Sequence, residues 1–219
     1  MHTYNRLPQH IGIIPDGNRR WAEFNGLNRE DGYDYGIVPG FELYKECINL
    51  GIQEITFYGF TKDNVKRPTV QTKAFQKACV DAVLNLSRYD ANILIIGDTS
   101  SPMFPCELLP YTHRVQCGKG LINVNFLVNY GWDWDLSYSA SHKQTRKNGS
   151  ISRKIASSDI TRIDLIIRWG GRRRLSGFLP IQSIYADFYV IDEMWPDYKT
   201  KHLYEALDWY QSQDVTLGG

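Results

Sequence analysis

The chain has 219 residues, 42% of them hydrophobic and 13% aromatic, with a formal charge of +1 and four cysteines. This is mass enough for one domain, or two tightly fused, with a real core, and an even charge balance argues against nonspecific nucleic-acid binding. No apolar run approaches the ~18 residues of a membrane span and no signal-peptide core opens the chain; Cys47, Cys79, Cys106 and Cys117 lack Cys-x-x-Cys spacing and read as thiols, so a cytoplasmic location is expected.

In chain order, Ile11–Ile14 reads as a buried strand that runs into Pro15-Asp16-Gly17-Asn18-Arg19-Arg20-Trp21. Gly17-Asn18 is the turn, and the stretch up to Gly26 is the start of a helix. A helix N-terminus aims unpaired N–H groups at one spot, and the two arginines add fixed positive charge. Asp16 at the strand tip is placed to hold a divalent metal that bridges to phosphate oxygens. Asp, Gly and Asn also dominate ordinary turns, so this block alone leaves both readings open.

Ile37, Phe41, Tyr44 and Ile48 recur at helical spacing, with Gly51 as the stop. Glu54–Tyr58 reads as a second strand. A second helix carries Val70, Ala74, Ala78, Ala82 and Leu86 on one face, with Phe75, Cys79 and Val83 beside it. Asn92–Ile96 and Leu121–Val128 follow as strands. Ser137 to Ser158 holds five positive charges and no acid, and is expected to be a mobile, exposed connection. Its charge could meet an anionic membrane surface, a solvated loop being the plainer reading. Ile163–Ile167 then leads into Arg168-Trp169-Gly170-Gly171-Arg172-Arg173-Arg174-Leu175-Ser176, a second strand tip rich in arginine and glycine. Phe188–Ile191 is a last strand, and Leu203, Leu207 and Tyr210 mark a last helix.

Strands alternating with helices, several of them continuously apolar, predict one α/β domain over residues 1–219. Its core is a mostly parallel sheet of about six strands flanked by helices. Ligands of such sheets sit beyond the carboxyl ends of the strands, where Asp16, Thr61 and Arg168 fall. Two cationic strand tips in one chain suggest two anionic groups held near each other. Trp21, Trp132, Trp134 and Trp169 read as core or interface, and Arg172 and Arg173 are left off the candidate site because one or both can simply face solvent.

These blocks, with Phe60-Thr61-Lys62-Asp63-Asn64-Val65-Lys66-Arg67-Pro68, Ile95-Ile96-Gly97-Asp98, Asn129-Tyr130-Gly131 and Tyr185-Ala186-Asp187 to Trp195-Pro196-Asp197, give a chain that resembles the cis-prenyltransferases, the undecaprenyl diphosphate synthase family, from His10 to Asp197. The resemblance implies an Mg²⁺-dependent enzyme joining an allylic diphosphate to an isopentenyl-type diphosphate, usually as a homodimer. It places Asp16 and Asp187 as metal-binding acids, and Gly17, Asn18, Arg19, Arg20 and Arg29 around the allylic diphosphate. Arg168, Arg174 and Ser176 fall to the second diphosphate, although Ser176 also reads as a helix cap. Thr61 and Asn64 fall beside the reacting carbons, and Arg67 completes their loop.

The chain also departs from the family. Tyr33 stands where the family has histidine, Val65 where it has tryptophan, and Asp63 and Asp187 where it has glutamate. The tail Asp214 to Gly219 lacks the family's Arg-x-Gly, a lost contact worth roughly 1.5–3 kcal/mol. Leu127, Val128 and Phe75 place bulk near the family's product tunnel between the sheet and the second helix, which implies a short product, regular or irregular. Two alternatives stay open: a terpene synthase or cyclase that ionises an allylic diphosphate without elongation, and the catalytic subunit of a heteromeric prenyltransferase.

Overall fold

The computed structural model describes residues 4–141 and 154–214. The apolar runs pair into a seven-stranded sheet: β1 (His10–Ile14), β2 (Glu54–Tyr58), β3 (Ala91–Ile96), β4 (Val115–Cys117), β5 (Ile122–Leu127), β6 (Leu165–Arg168) and β7 (Asp187–Val190). The spatial order is β4-β3-β5-β2-β1-β6-β7, parallel throughout except for β4, which runs antiparallel to β3. All six expected strands are present. The seventh, β4, is a three-residue edge segment too short to carry a periodic signal.

Because side chains alternate along a strand, the sheet has two distinct faces. Ile11, Ile13, Ile55, Phe57, Phe126 and Ile167 point to one face and pack with helices α3 (Ile37–Leu50), α4 (Thr69–Leu86) and α6 (Thr200–Gln211). Ile14, Leu94, Ile96, Leu127 and Ile166 point to the other, and meet Tyr130, Ile160, Ile163 and Phe178. The short helices α1 (Asn18–Phe24) and α2 (Gly32–Tyr35) lie between β1 and α3, and α5 (Trp132–Ser141) follows β5. Two-sided burial is the reason these strands read as unbroken apolar runs.

Gly51 ends α3 as expected. At φ +75° it lets the Ile52 N–H reach back to the Cys47 carbonyl at 2.9 Å. On α4 the buried line runs through Thr72, Cys79, Val83 and Leu86, whereas Val70 is exposed.

The expected mobile connection is corrected at both ends. Its first residues, to Ser141, continue α5, and its last are packed: Ile155 and Ser157 are buried. The cause is Asp135, buried on α5, whose carboxylate accepts hydrogen bonds from the Ser157 N–H (2.8 Å), the Ser157 hydroxyl (2.7 Å) and the Tyr130 hydroxyl (2.8 Å). Residues 142–153, with most of the positive charges, lie outside the described residues.

At the centre of the sheet, Gly12 is glycine for want of room. A Cβ there would stand 2.5 Å from Cε1 of the fully buried Phe178. Gly12→Ala should therefore destabilise by about 1–3 kcal/mol through overpacking, read as a lower urea midpoint at unchanged m value. Adding Phe178→Leu should restore part of the loss.

Candidate active site

β1 lies between β2 and β6, so the loops leaving its tip and its neighbours' tips converge above the carboxyl ends of three parallel strands. They enclose a cleft of about 540 Å³. The register sets Ile14 opposite Arg168, which brings the two cationic strand tips seen in the sequence side by side.

Asp16 and Arg168 join these tips. Arg168 Nη2 donates to Asp16 Oδ2 at 2.7 Å, and the Arg168 side chain is only 5% exposed. Arg168 Nη1 donates to the Ser176 hydroxyl at 3.0 Å and to the Arg174 carbonyl. Asp16 Oδ1 accepts from the Gly17 N–H at 2.7 Å and lies 3.7 Å from Arg20 Nη2. A bidentate arginine thus fixes both the acid and the second loop, and one of its donors, Nε, is buried without a partner. Gly17 sits at φ +107°, where an added Cβ would meet Met194 at 2.9 Å, so the turn admits only glycine. The first bond of α1 runs from the Trp21 N–H to the Gly17 carbonyl at 2.8 Å, leaving the N–H groups of Asn18 to Arg20 without an acceptor inside the helix.

Among the described residues seven arginines line the cleft, Arg19, Arg20, Arg29, Arg67, Arg168, Arg172 and Arg174, against three carboxylates, Asp16, Glu23 and Asp63. Arg20 is braced on the Gly170 carbonyl at 2.9 Å, Arg19 on Gln71 at 3.1 Å, and Arg29 on Glu23 at 2.6 Å. Burial first, and then the charge of Arg67, lower the pKa of Arg19. Cations crowded in this way form a site for polyvalent anions.

The loop after β2 closes one side. Thr61 donates its N–H to Asn64 Oδ1 at 3.0 Å, while the Lys62 ammonium pairs with Asp98 at 3.0 Å and ties the loop to the end of β3. Tyr58 spans the cleft floor and donates its hydroxyl to the Ser176 carbonyl at 2.7 Å.

Behind the cleft, between the sheet and helices α3 and α4, lies a second hollow of about 100 Å³. Its wall is apolar and built largely of small or aromatic residues: Gly36, Gly40, Ala78, Ala82, Phe57 and Phe126. The orphaned Asn18 Oδ1, buried with no donor, lies where the two hollows meet, since Asn18 lines both.

Thus Asp16, Gly17, Asn18, Arg19, Arg20, Arg29, Thr61, Asn64, Arg67, Arg168, Arg174 and Ser176 all line one cleft. Asp187 does not. It opens β7 and pairs with Leu165, three residues before the Arg168 tip, so it lies roughly 10 Å down the strand at the other end of the sheet. There burial raises its pKa, Arg6 opposing and Asp164 adding. Within one chain the two acids cannot share an ion.

Ser176 is not a helix cap: it stands in a loop at φ +54°, its hydroxyl accepting from Arg168. Leu127 points away from the tunnel face, whereas Val128 shares that face with Phe126, and it is Phe126 that lines the hollow. Arg172, left off the candidate site, lines the cleft because Gly170 and Gly171 both take positive φ and turn the chain back on itself. The absent tail arginine falls on 215–219, outside the described residues. Of Trp21, Trp132, Trp134 and Trp169, none lines the cleft, and Trp169 is fully buried.

A parallel sheet with an arginine-rich cleft at its carboxyl edge and an apolar hollow behind it defines a binder of molecules with an anionic head and a hydrocarbon tail. The family model described as "Putative undecaprenyl diphosphate synthase" matches residues 14–218. The chain is 32% identical over 230 residues to the ditrans,polycis-undecaprenyl-diphosphate synthase ((2E,6E)-farnesyl-diphosphate specific) of Buchnera aphidicola, covering 96% of this chain and 91% of that one. It is 31% identical over 232 residues to an isoprenyl transferase of Clostridium tetani, covering 98% and 91%. Its fold matches that of lavandulyl diphosphate synthase from Lavandula x intermedia, solved with dimethylallyl diphosphate, at a TM-score of 0.83, 21% identity, and 97% and 98% coverage. The chain belongs to the undecaprenyl diphosphate synthase family and is a prenyltransferase.

Two outcomes test the site. Arg168→Lys replaces a fork that holds three acceptors with a single ammonium, and should cost about 2–4 kcal/mol of stability and well over tenfold in affinity for inorganic diphosphate, by thermal melts and calorimetry. No histidine among the described residues lines the cleft, and burial pushes the Tyr33 and Tyr58 hydroxyls above their usual range, so both stay protonated. The pH profile of kcat/KM should therefore be level from about pH 7 to about pH 9.

Proposed function

We propose that this enzyme condenses an allylic diphosphate with a C5 isoprenoid diphosphate to give a short prenyl diphosphate. The observation that carries this reading is the junction of an arginine-lined cleft with an apolar hollow of only about 100 Å³. A dry cavity of about 150 Å³ takes up one benzene, so the hollow as it stands has room for no more than about one isoprene unit, and longer tails require it to open.

The reaction begins as the allylic C–O bond breaks and its electron pair leaves with the diphosphate. Arg19, Arg20 and the free N–H groups of Asn18 to Arg20 meet that charge where it develops, and need no proton transfer. The allylic cation is left at the mouth of the apolar hollow, where Asn18, Tyr33 and Phe75 line both spaces. The C5 partner, held by Arg172 and Arg174, which make no side-chain bond among the described residues, gives its alkene electrons to the new C–C bond. The proton lost from the resulting cation passes to an oxygen of the released diphosphate. Asn64, its Oδ1 fixed by Thr61, keeps its amide NH₂ for the second substrate.

The family's chemistry implies magnesium. No described group of three or more acids, histidines or cysteines makes a closed metal cage. Magnesium usually takes one or two carboxylates and completes its shell with water and phosphate oxygens, and Asp16, a third exposed at the cleft edge, fits that mode. Asp16 would hold it, and the ion would neutralise the leaving diphosphate.

The deciding experiment incubates the protein with Mg²⁺ and dimethylallyl, geranyl or farnesyl diphosphate, with and without isopentenyl diphosphate, and reads products by mass spectrometry. Expected are products of about C10 to C20 that require the second substrate. Diphosphate release without it would instead establish a synthase or cyclase, and long polyprenyl products would overturn the short-chain reading. Asp16→Asn, which keeps an acceptor for Arg168, should lower turnover by about 10²–10³-fold with little change in melting temperature.

A further inference from the structure

The cationic cleft and the apolar hollow share five wall residues, Pro15, Asn18, Tyr33, Gly59 and Phe75, which ring the passage between them. Tyr33 of α2 and Phe75 of α4 lie face to face in that ring, their centroids 4.4 Å apart and their planes within 4°. One guanidinium steadies both: Arg67 Nη1 donates to the Tyr33 hydroxyl at 2.8 Å and its Cζ stands 5.8 Å from the Phe75 centroid. Phe60, fully buried, meets Phe75 edge-on at 5.7 Å. Behind this stack the wall turns small, with Gly36, Gly40, Ala78 and Ala82. At Gly40 an added Cβ would rest in ordinary contact with Phe57 and Trp195 at 3.8 Å, so this wall accepts a methyl that would fill part of the hollow.

We infer that the Tyr33–Phe75 stack, tethered by Arg67, is the size filter of this enzyme: it admits a five-carbon tail on the cleft side and makes longer tails part the rings. This rests on the transferase reading and adds to it the residues that set which allylic diphosphate is used. The physical reason is additive: a long tail must give up the ring stacking and the hydroxyl tether before it gains any contact in the hollow. Neither ring is needed to bind diphosphate, so their removal acts on tail length and not on the head group.

The test compares kcat/KM for dimethylallyl, geranyl and farnesyl diphosphate, each with isopentenyl diphosphate and Mg²⁺. Phe75→Ala should raise the farnesyl-to-dimethylallyl ratio by about tenfold, the factor that one aromatic contact sets. Tyr33→Phe, which keeps the ring and removes the tether, should raise it by less. Gly40→Ala placed on Phe75→Ala should give part of the gain back by narrowing the hollow. Should Phe75→Ala fail to fold, Phe75→Leu and Tyr33→Phe carry the comparison.

The same panel of non-ionising thiolodiphosphates, measured by calorimetry, reads the filter without turnover. A wild-type protein that releases no diphosphate from any tail would end the transferase reading, yet leave this binding ratio to decide the filter. A ratio within twofold of wild type in the folded variants, by both readouts, would overturn the inference.

Discussion

The ion pair between Asp16 and Arg168 is the constraint on which the site depends. It joins the tips of two adjacent parallel strands, and through the second Arg168 nitrogen it also fixes the loop that carries Arg174 and Ser176. Arg168 is nearly buried, so its charge is tolerable only while its acceptors stay in place. The same geometry leaves Asp16 a third exposed, its carboxylate shared between an arginine inside and the cleft outside. An acid held so firmly presents a fixed edge to the cleft, so that no side chain has to be ordered when a ligand arrives.

The charge distribution explains why the cleft does not collapse on itself. Among the described residues seven arginines outnumber three carboxylates, and several are braced on neutral carbonyls and amides, such as Gly170 and Gln71, that orient the guanidinium without cancelling it. Their mutual repulsion is the stored cost of an empty site, and a ligand with roughly three negative charges on each diphosphate relieves it. Ligand binding and folding stability are then linked, the occupied state being the more stable one.

Much of the fold was legible because its strands are buried on both faces and read as apolar runs. The paired Asp-Gly-Asn-Arg-Arg and Arg-Trp-Gly-Gly-Arg blocks also fell at strand tips, where topology places ligands. What could not be read was set by three-dimensional register. Asp187 lies on the neighbour of β6 but at its opposite end, a distinction that no spacing encodes. Leu127 falls on the face opposite Phe126 and Val128 through a single step of strand alternation. Arg172 enters the cleft only because two successive glycines adopt positive φ. The connection after α5 looked mobile by composition, yet Asp135 draws Ser157 into the core through a contact 22 residues apart.

The division between cleft and hollow follows from the sheet itself. At the strand tips the backbone runs out of partners, so loops there must be polar, and here they carry the arginines. A few residues deeper the same layer is covered by α3 and α4, whose Gly36, Gly40, Ala78 and Ala82 fill the interface too thinly to close it. A parallel sheet therefore generates, within one continuous space, an anionic-head site above and a dry tail site below. Such a space suits a ligand whose anionic head is held by fixed cations while its hydrocarbon tail lies against apolar and aromatic side chains.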